Sequence, residues 1–192
     1  EIAKSIPVDI VNDTIPELTE TFDVVLTDQS GGIPLAGQNR ATISILDDDV
    51  GFLFSTNTFT VAEYAGTAPI TILRVGTASG IAKVRFVATN GTAISTNDFK
   101  AVDQTVTFPD GVTNMIVSVP IIDDTLVEGD ETVTLSLIQI EGQGTVDPTP
   151  TTLVIRDDDC TIDFVSADYR VYENAGQVLL TVRRLGGVLN TV

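Results

Sequence analysis

Histidine and tryptophan are absent from these 192 residues, and cysteine and methionine occur once each. Without histidine there is no Ser-His-Asp or Cys-His catalytic set, and a single thiol, Cys160, cannot build a zinc site or an intramolecular disulfide. Cys160 leaves the redox compartment open and is most simply a tolerated residue without a role. Basic residues are scarce as well: ten Lys and Arg stand against 27 Asp and Glu, for a net charge of −17 and a pI near 4.1. Such a chain is a poor partner for nucleic acid and anionic membrane surfaces, and a better one for cations and basic partners. No apolar stretch approaches the roughly 20 residues that span a bilayer, so direct membrane insertion is not expected. The charged opening EIAKSIPVD lacks the form of a signal peptide. Because the sequence starts and stops inside a repeating pattern, the targeting segments of a parent protein are expected outside it.

What is present is strand-forming. Hydrophobic residues make up 43% of the chain, and Val, Ile, Leu, Phe and Thr dominate where a disordered acidic segment would carry little but charge. Twice a run of β-branched residues ends in three aspartates: Asp47, Asp48 and Asp49 after ATISIL, and Asp157, Asp158 and Asp159 after TTLVIR, 110 residues apart. The text upstream repeats too, with Asp13-Thr14-Ile15-Pro16-Glu17 and Glu20-Thr21 matching Asp124-Thr125-Leu126-Val127-Glu128 and Glu131-Thr132. Downstream, CTIDFVSADYRVYENAG lies on VGFLFSTNTFTVAEYAG, which sets Phe164 on Phe54, Glu173 on Glu63 and Ala175-Gly176 on Ala65-Gly66. The expected organisation is the C-terminal part of one repeat at 1–49, a whole repeat at 50–159 and the N-terminal part of a third at 160–192.

Within the whole repeat, GFLFS, FTVAEY, PITILRV, KVRFVAT, QTVTFP, MIVSVPII, ETVTLSL and TTLVIRD read as short strands. Turn residues at Gly66, Gly91, Pro109-Asp110-Gly111 and Gly142 divide them. About seven strands in roughly 110 residues predicts an all-β, immunoglobulin-like antiparallel β-sandwich in tandem repeats. The expected core is Ile70, Ile72, Val75, Val84, Phe86, Ala88, Val106, Phe108, Val117, Val119 and Ile121. Neither end repeat can close a sandwich alone, so head and tail are expected to complement each other between molecules as donated strands do. Sedimentation that finds only monomer at high concentration would remove that expectation.

Turns of a sandwich gather at its two ends, and the acidic turns are expected to meet at one of them. Glu63 lies between the first strands, Asp98 in TAISTNDFKA, Asp123 and Asp124 after MIVSVPII, Glu128 one turn on, and Asp157 to Asp159 where the last strand stops. Carboxylates packed this way repel by about 3 kcal/mol per close pair at an effective dielectric near 20, so the cluster calls for a cation. Calcium takes six to eight oxygens in flexible geometry, where magnesium demands a strict octahedron. Successive aspartates can aim at different neighbours, which predicts a site for two or more ions.

VAEYAG with Glu63, the loop ending Asn97-Asp98-Phe99, the run PIIDDTLVEGDETVTLSL and the closing RDDD together resemble the Calx-beta repeat family over the whole chain. The resemblance implies an immunoglobulin-like sandwich that binds calcium at one end. Its ligands would be the residues at Glu63, Asp98, Asp123, Asp124, Glu128, Asp157, Asp158 and Asp159, with the main-chain carbonyl of Leu126. The partial copies depart from the pattern. Asn12 replaces the counterpart of Asp123, so a first-copy site of Asp13, Glu17, Asp47, Asp48 and Asp49 is expected to be incomplete unless another molecule supplies Glu173. The third copy offers Glu173 alone.

The plainer reading of such acid is turn chemistry and solubility, but turn chemistry does not explain a three-aspartate run at the same strand end twice. Asp130 and Glu131 are expected to be solvated or capping, Asp110 a turn residue and Asp103 a surface residue. Asn12-Asp13-Thr14 and Asn90-Gly91-Thr92 fit the glycosylation sequon, with Asn90 the fairer acceptor, and the tyrosines read as packing residues. The function expected is a calcium-binding structural and adhesive module of a large extracellular or cell-surface protein. Its partners would be calcium ions and the neighbouring repeats. The alternative is a regulatory calcium sensor like the repeats in the cytosolic loop of sodium/calcium exchangers. An enzyme is not expected, because exposed carboxylates without apolar surroundings should not titrate near neutrality as a hydrolase acid must.

Overall fold

A computed structural model describes residues 3–27, 35, 37–142 and 144–186. In the first copy β1 (Glu20–Val25) pairs with β2 (Arg40–Ile45). The central copy holds β3 (Gly51–Phe54), β4 (Thr58–Ala62), β5 (Thr67–Val75), β6 (Ala82–Asn90), β7 (Val102–Phe108), β8 (Asn114–Pro120), β9 (Glu131–Glu141), β10 (Thr145–Val146) and β11 (Thr151–Arg156). β12 (Cys160–Phe164) and β13 (Val182–Gly186) form the third. The central strands make two sheets, in the orders β10–β3–β5–β8 and β4–β11–β9–β6–β7. The pairs β10–β3 and β4–β11 are parallel and the others antiparallel. This is the immunoglobulin-like sandwich that the strand spacing predicted. No helix among the described residues is long and apolar enough to cross a membrane.

Period-two alternation decides which side chains enter the core. Along β5, Ala68, Ile70, Ile72 and Arg74 are buried and the residues between them are not. Val75, expected inside, is therefore out of phase with Ile70 and Ile72 and only half-buried, and the inward position belongs to Arg74. Its two terminal nitrogens are satisfied there, Nη1 donating to the carbonyls of Ala78 (3.0 Å) and Gly80 (2.8 Å) and Nη2 to that of Ser79 (2.7 Å), while Nε is buried without a partner among the described residues. It also stands 5.9 Å from the centre of the Phe52 ring. The other ten core residues expected from the sequence are buried. Phe52 packs on Phe108 and Phe54 on Phe86, with ring centres 5.1 and 6.2 Å apart, joining the two sheets.

The flanking copies keep the register of the central one. Glu20 faces Ile45 as Glu131 faces Ile155, and Phe164 faces Val182 as Phe54 faces Ile72. They do not share its burial. Ile6, Val8 and Ile10 are exposed although their counterparts Val117, Val119 and Ile121 are buried. Val178, Leu180 and Val182 are exposed where Ala68, Ile70 and Ile72 are buried.

Candidate metal centre

Strand direction brings the acidic turns together. β4 and β11 run parallel, with Ala62 beside Arg156, so the segment beginning at Glu63 and the aspartates from Asp157 leave the sheet at the same end. β9 is antiparallel to β11 and begins there, with Glu131 opposite Ile155. β6 ends there too, with Asn90 opposite Val133, and leads into the loop that carries Asp98. That loop is anchored by Ala93 and Phe99, both fully buried. Asp98 caps it from within by accepting the Ile94 N–H at 2.7 Å, and its carbonyl accepts the Ile122 N–H at 2.9 Å. Thr96, in the left-handed region at φ 88°, makes the turn.

Two carboxylate groups result. Glu63, Asp124 and Asp159 each place an oxygen within 4.8 Å of the other two, and so do Asp98, Glu128 and Glu131. Glu63 and Asp98 are each 6% exposed, and Asp157 and Asp158 are buried beside them. Asp157 holds the frame: its Oδ2 accepts the N–H groups of Glu128 (3.0 Å) and Gly129 (2.8 Å), and its Oδ1 that of Asp159 (2.9 Å). The Leu126 N–H donates to Asp124 Oδ1 at 2.7 Å, which folds the loop that presents Glu128, and the Leu126 side chain is exposed. Asp123 is exposed, and its charge reaches Asp159.

Protonation follows from this crowding. Burial, opposed by the Asp124 N–H and reinforced by the charges of Asp124, Asp159 and Asp157, pushes Glu63 up to about 7. Burial, a hydrogen bond with Asp98 and the charges of Asp98 and Glu128 push Glu131 up to about 7 as well. Glu128 and Asp159 are raised by desolvation first and by neighbouring carboxylates after it. Whereas Glu128 stays exposed, Glu63 and Glu131 thus depart from the expectation that no carboxyl here would titrate near neutrality, because Glu63 is buried and Glu131 is half-buried against Asp98. Both glutamates have folded values above their ordinary 4.5. The stability they contribute is full below about 4.5 and is lost as pH rises through about 7. In chelator, the urea midpoint of the central copy should fall between pH 5 and pH 8, and a midpoint that climbs over that window would contradict the assignment. Asp23, Asp103 and Asp163, lowered by Arg40, Arg85 and Arg183, act below it.

The donor set fits a hard cation. It is all oxygen. Asp159 Oδ2 is buried and accepts no hydrogen bond among the described residues. The ion pairs Arg40–Asp23, Lys83–Glu141, Arg85–Asp103 and Arg183–Asp163 lie elsewhere. Glu131 was expected to be solvated and instead completes the second group; the signal that marked it was the recurrence of Glu20 at the same place in the first copy. Asp103 pairs with Arg85, Asp110 accepts the Gly80 N–H at 2.6 Å, and Asp130 is exposed and outside both groups. Asn90 is exposed, and its Oδ1 accepts the Ser95 N–H at 3.0 Å.

The first copy repeats three of the four bonds of this frame. Ile15 N–H donates to Asp13 Oδ1 (2.7 Å), Glu17 N–H to Asp47 Oδ2 (2.9 Å) and Asp49 N–H to Asp47 Oδ1 (3.3 Å). Asp47, Asp48 and Asp49 bring oxygens within 4.8 Å of one another, and a small cavity beside them is lined by Asn12, Asp13 and Glu17. Desolvation, then neighbouring carboxylates, raises Glu17 and Asp49. Glu173 stands exposed on its own turn, Glu173–Ala175, and joins neither these groups nor those of the central copy.

A family model described as the Calx-beta domain matches residues 1–49, 47–159 and 156–192. The adhesion G-protein coupled receptor V1 of Danio rerio is 33% identical over 96% of this chain, and the chain covers 3% of that receptor. The human FRAS1-related extracellular matrix protein 2 is 30% identical over 93% of the chain, which covers 6% of it. The Drosophila melanogaster sodium/calcium exchanger Calx is 31% identical over 76%, of which the chain covers 16%. Among solved structures, the apo form of the Calx CBD1 domain aligns with 57% of this chain and 98% of its own, at 31% identity and a TM-score of 0.54. The calcium binding domain CBD12 of CALX1.1 aligns with 64% and 53%, at 28% and 0.55. The chain spans only a small fraction of the curated relatives it matches.

Proposed function

Since this chain belongs to the Calx-beta domain family, we propose that it is a calcium-binding structural module of a large extracellular or cell-surface protein. The observation that carries the reading is the pair of carboxylate groups meeting at the end of the sandwich where the next copy begins, with Asp159 leading directly into Cys160, the first residue of β12. Calcium would be held by Glu63, Asp124 and Asp159 on one side and by Asp98, Glu128 and Glu131 on the other, two or more ions in all. Asp157 would shape the loop, and Asp123, Asp158 and the Leu126 carbonyl would lie alongside as further ligands. The charge of the ions offsets carboxylate repulsion that otherwise favours protonated glutamates and a looser end loop. The first-copy site, on Asp13, Glu17 and Asp47 to Asp49, is thinner. The module is non-enzymatic in this reading, the near-neutral glutamates being part of cation binding.

Because no linker separates the copies, ions at the junction stiffen the array. X-ray scattering of the chain in calcium and in chelator tests this. A larger radius of gyration and a broader distance distribution are expected in chelator, and superimposable profiles contradict the stiffening. A regulatory sensor is the second reading, favoured by the exchanger and its CBD12 structure among the relatives. The fuller coverage by the adhesion receptor and the matrix protein supports the extracellular array. Affinity separates the two: millimolar dissociation constants suit permanent occupancy outside cells, and micromolar ones suit sensing.

A further inference from the structure

At both junctions the same loop position meets the following copy, though on different strands of it. At the first, Pro16, between Asp13 and Glu17, is fully buried while the residues around it are exposed. It sits on Gly51, the first residue of β3: a Cβ there would lie 2.6 Å from Pro16 Cγ. Alongside, Thr145 of β10 donates its hydroxyl to the Thr14 carbonyl at 3.2 Å, so both strands of the parallel pair β10–β3 touch the loop. At the second junction Val127 holds the corresponding loop position, between Asp124 and Glu128. Its Cγ1 would lie 2.7 Å from a Cβ on Gly186, in β13 of the third copy. In both cases the residue just before the last loop carboxylate meets a glycine of the following copy, but not the same one: Gly186 corresponds to Gly76 of the central copy, and the counterpart of Gly51 is Thr161. A Cβ would come closer still to a backbone carbonyl, of Thr145 at Gly51 and of Asp159 at Gly186.

These loops take their shape from the carboxylates. Asp13 and Asp47 accept the N–H groups on either side of Pro16, from Ile15 and Glu17, and Asp124 and Asp157 do the same around Val127, from Leu126 and Glu128. We infer that Pro16 and Val127 are the knobs by which each copy docks on the next, that a bare glycine is the socket, and that cation occupancy reaches the neighbouring copy through this loop residue. The partner such a surface fits is a following Calx-beta copy with backbone exposed at the socket. Where the counterpart of Gly51 carries a side chain, as Thr161 does in the third copy, the knob meets a different glycine, Gly186. The transmission part rests on the calcium reading; the docking contact does not.

Hydrogen exchange on the whole chain, wild type beside Pro16→Gly, tests both parts, because the substitution removes the knob and leaves every atom of the central copy in place. In chelator, amides 17–20 and 144–147 should exchange about tenfold faster in the variant, as a lost packing contact permits. Calcium should slow 144–147 in wild type but not in Pro16→Gly, while calorimetry finds the central copy still binding calcium in both. Val127→Gly, read at amides 161–164, repeats the test at the second junction. Equal exchange of wild type and variants in chelator would overturn the docking contact. Equal slowing by calcium at 144–147 in wild type and Pro16→Gly, or no slowing there in a wild type that binds calcium, would overturn transmission. A wild type that binds no calcium would sink the calcium reading, and with it transmission, while the chelator comparison still decides the contact.

Discussion

Replacing Asp157 with Ala should destabilise the calcium-free central copy by about 3 kcal/mol, the sum of three lost backbone hydrogen bonds at roughly 1 kcal/mol each. The side chain is 7% exposed and accepts from Glu128, Gly129 and Asp159, so its removal leaves three N–H groups in a partly dry loop. Its charge works the other way, because Glu63, Glu128 and Asp159 all feel it as repulsion. Asp157→Asn separates the two effects. The amide oxygen can still serve Glu128 and Gly129 while the charge is gone, so its cost in chelator should stay near 1 kcal/mol or less. Urea denaturation in chelator reads both variants. An Ala variant as stable as wild type would show that the aspartate contributes only as charge, and an Asn variant as damaged as Ala would show that both oxygens are indispensable.

Calcium should raise the stability of the wild-type central copy by about 5 kcal/mol when two sites are each held at a hundred times their dissociation constants, near 2.7 kcal/mol per site. For a unit of this size that is a rise of roughly 20 °C in the unfolding midpoint. Magnesium at the same concentration should do less, since flexible loops of this kind do not impose an octahedron. The same linkage fixes the direction with pH. Glu63 and Glu131, pushed up to about 7 without the cation, must lose their protons to ligate, so calcium affinity should climb as pH rises through about 7. Scanning calorimetry at pH 6 and pH 8 measures both. A shift of the same small size with either metal at both pH values would mean that the acid acts only as surface charge.

Much of the sandwich was legible because alternation is local: the apolar residues of β5, β6, β7 and β8 announce their own inward face. The misses have particular causes. Val75 is apolar but one step out of phase with Ile72, and pattern reading could not know that Arg74 would find three carbonyls to occupy the inward place. β10 has two residues, too few to alternate, and exists only because β3 offers it a parallel edge. The meeting of the acidic turns depends on the parallel neighbours β4 and β11, which periodicity does not reveal; the recurrence of the aspartate triplets pointed to a common end without that geometry. Individual roles inside the cluster were less legible still. Asp157 spends both oxygens on loop N–H groups, and Glu131 turns toward Asp98 and Glu128, because the 121–130 loop folds over the strand ends. That folding is a tertiary fact, and the sequence marked Glu131 only through its counterpart Glu20.

The central claim is that the end loops of the central copy bind calcium through these carboxylates, and titration calorimetry of the chelator-stripped chain tests it most directly, beside a chain with Asp157→Asn, Asp158→Asn and Asp159→Asn together. Saturable binding of two or more ions in wild type, lost from the central copy in the triple variant, is the result expected. An isotherm without saturable heat, or one unchanged by the three substitutions, would contradict it.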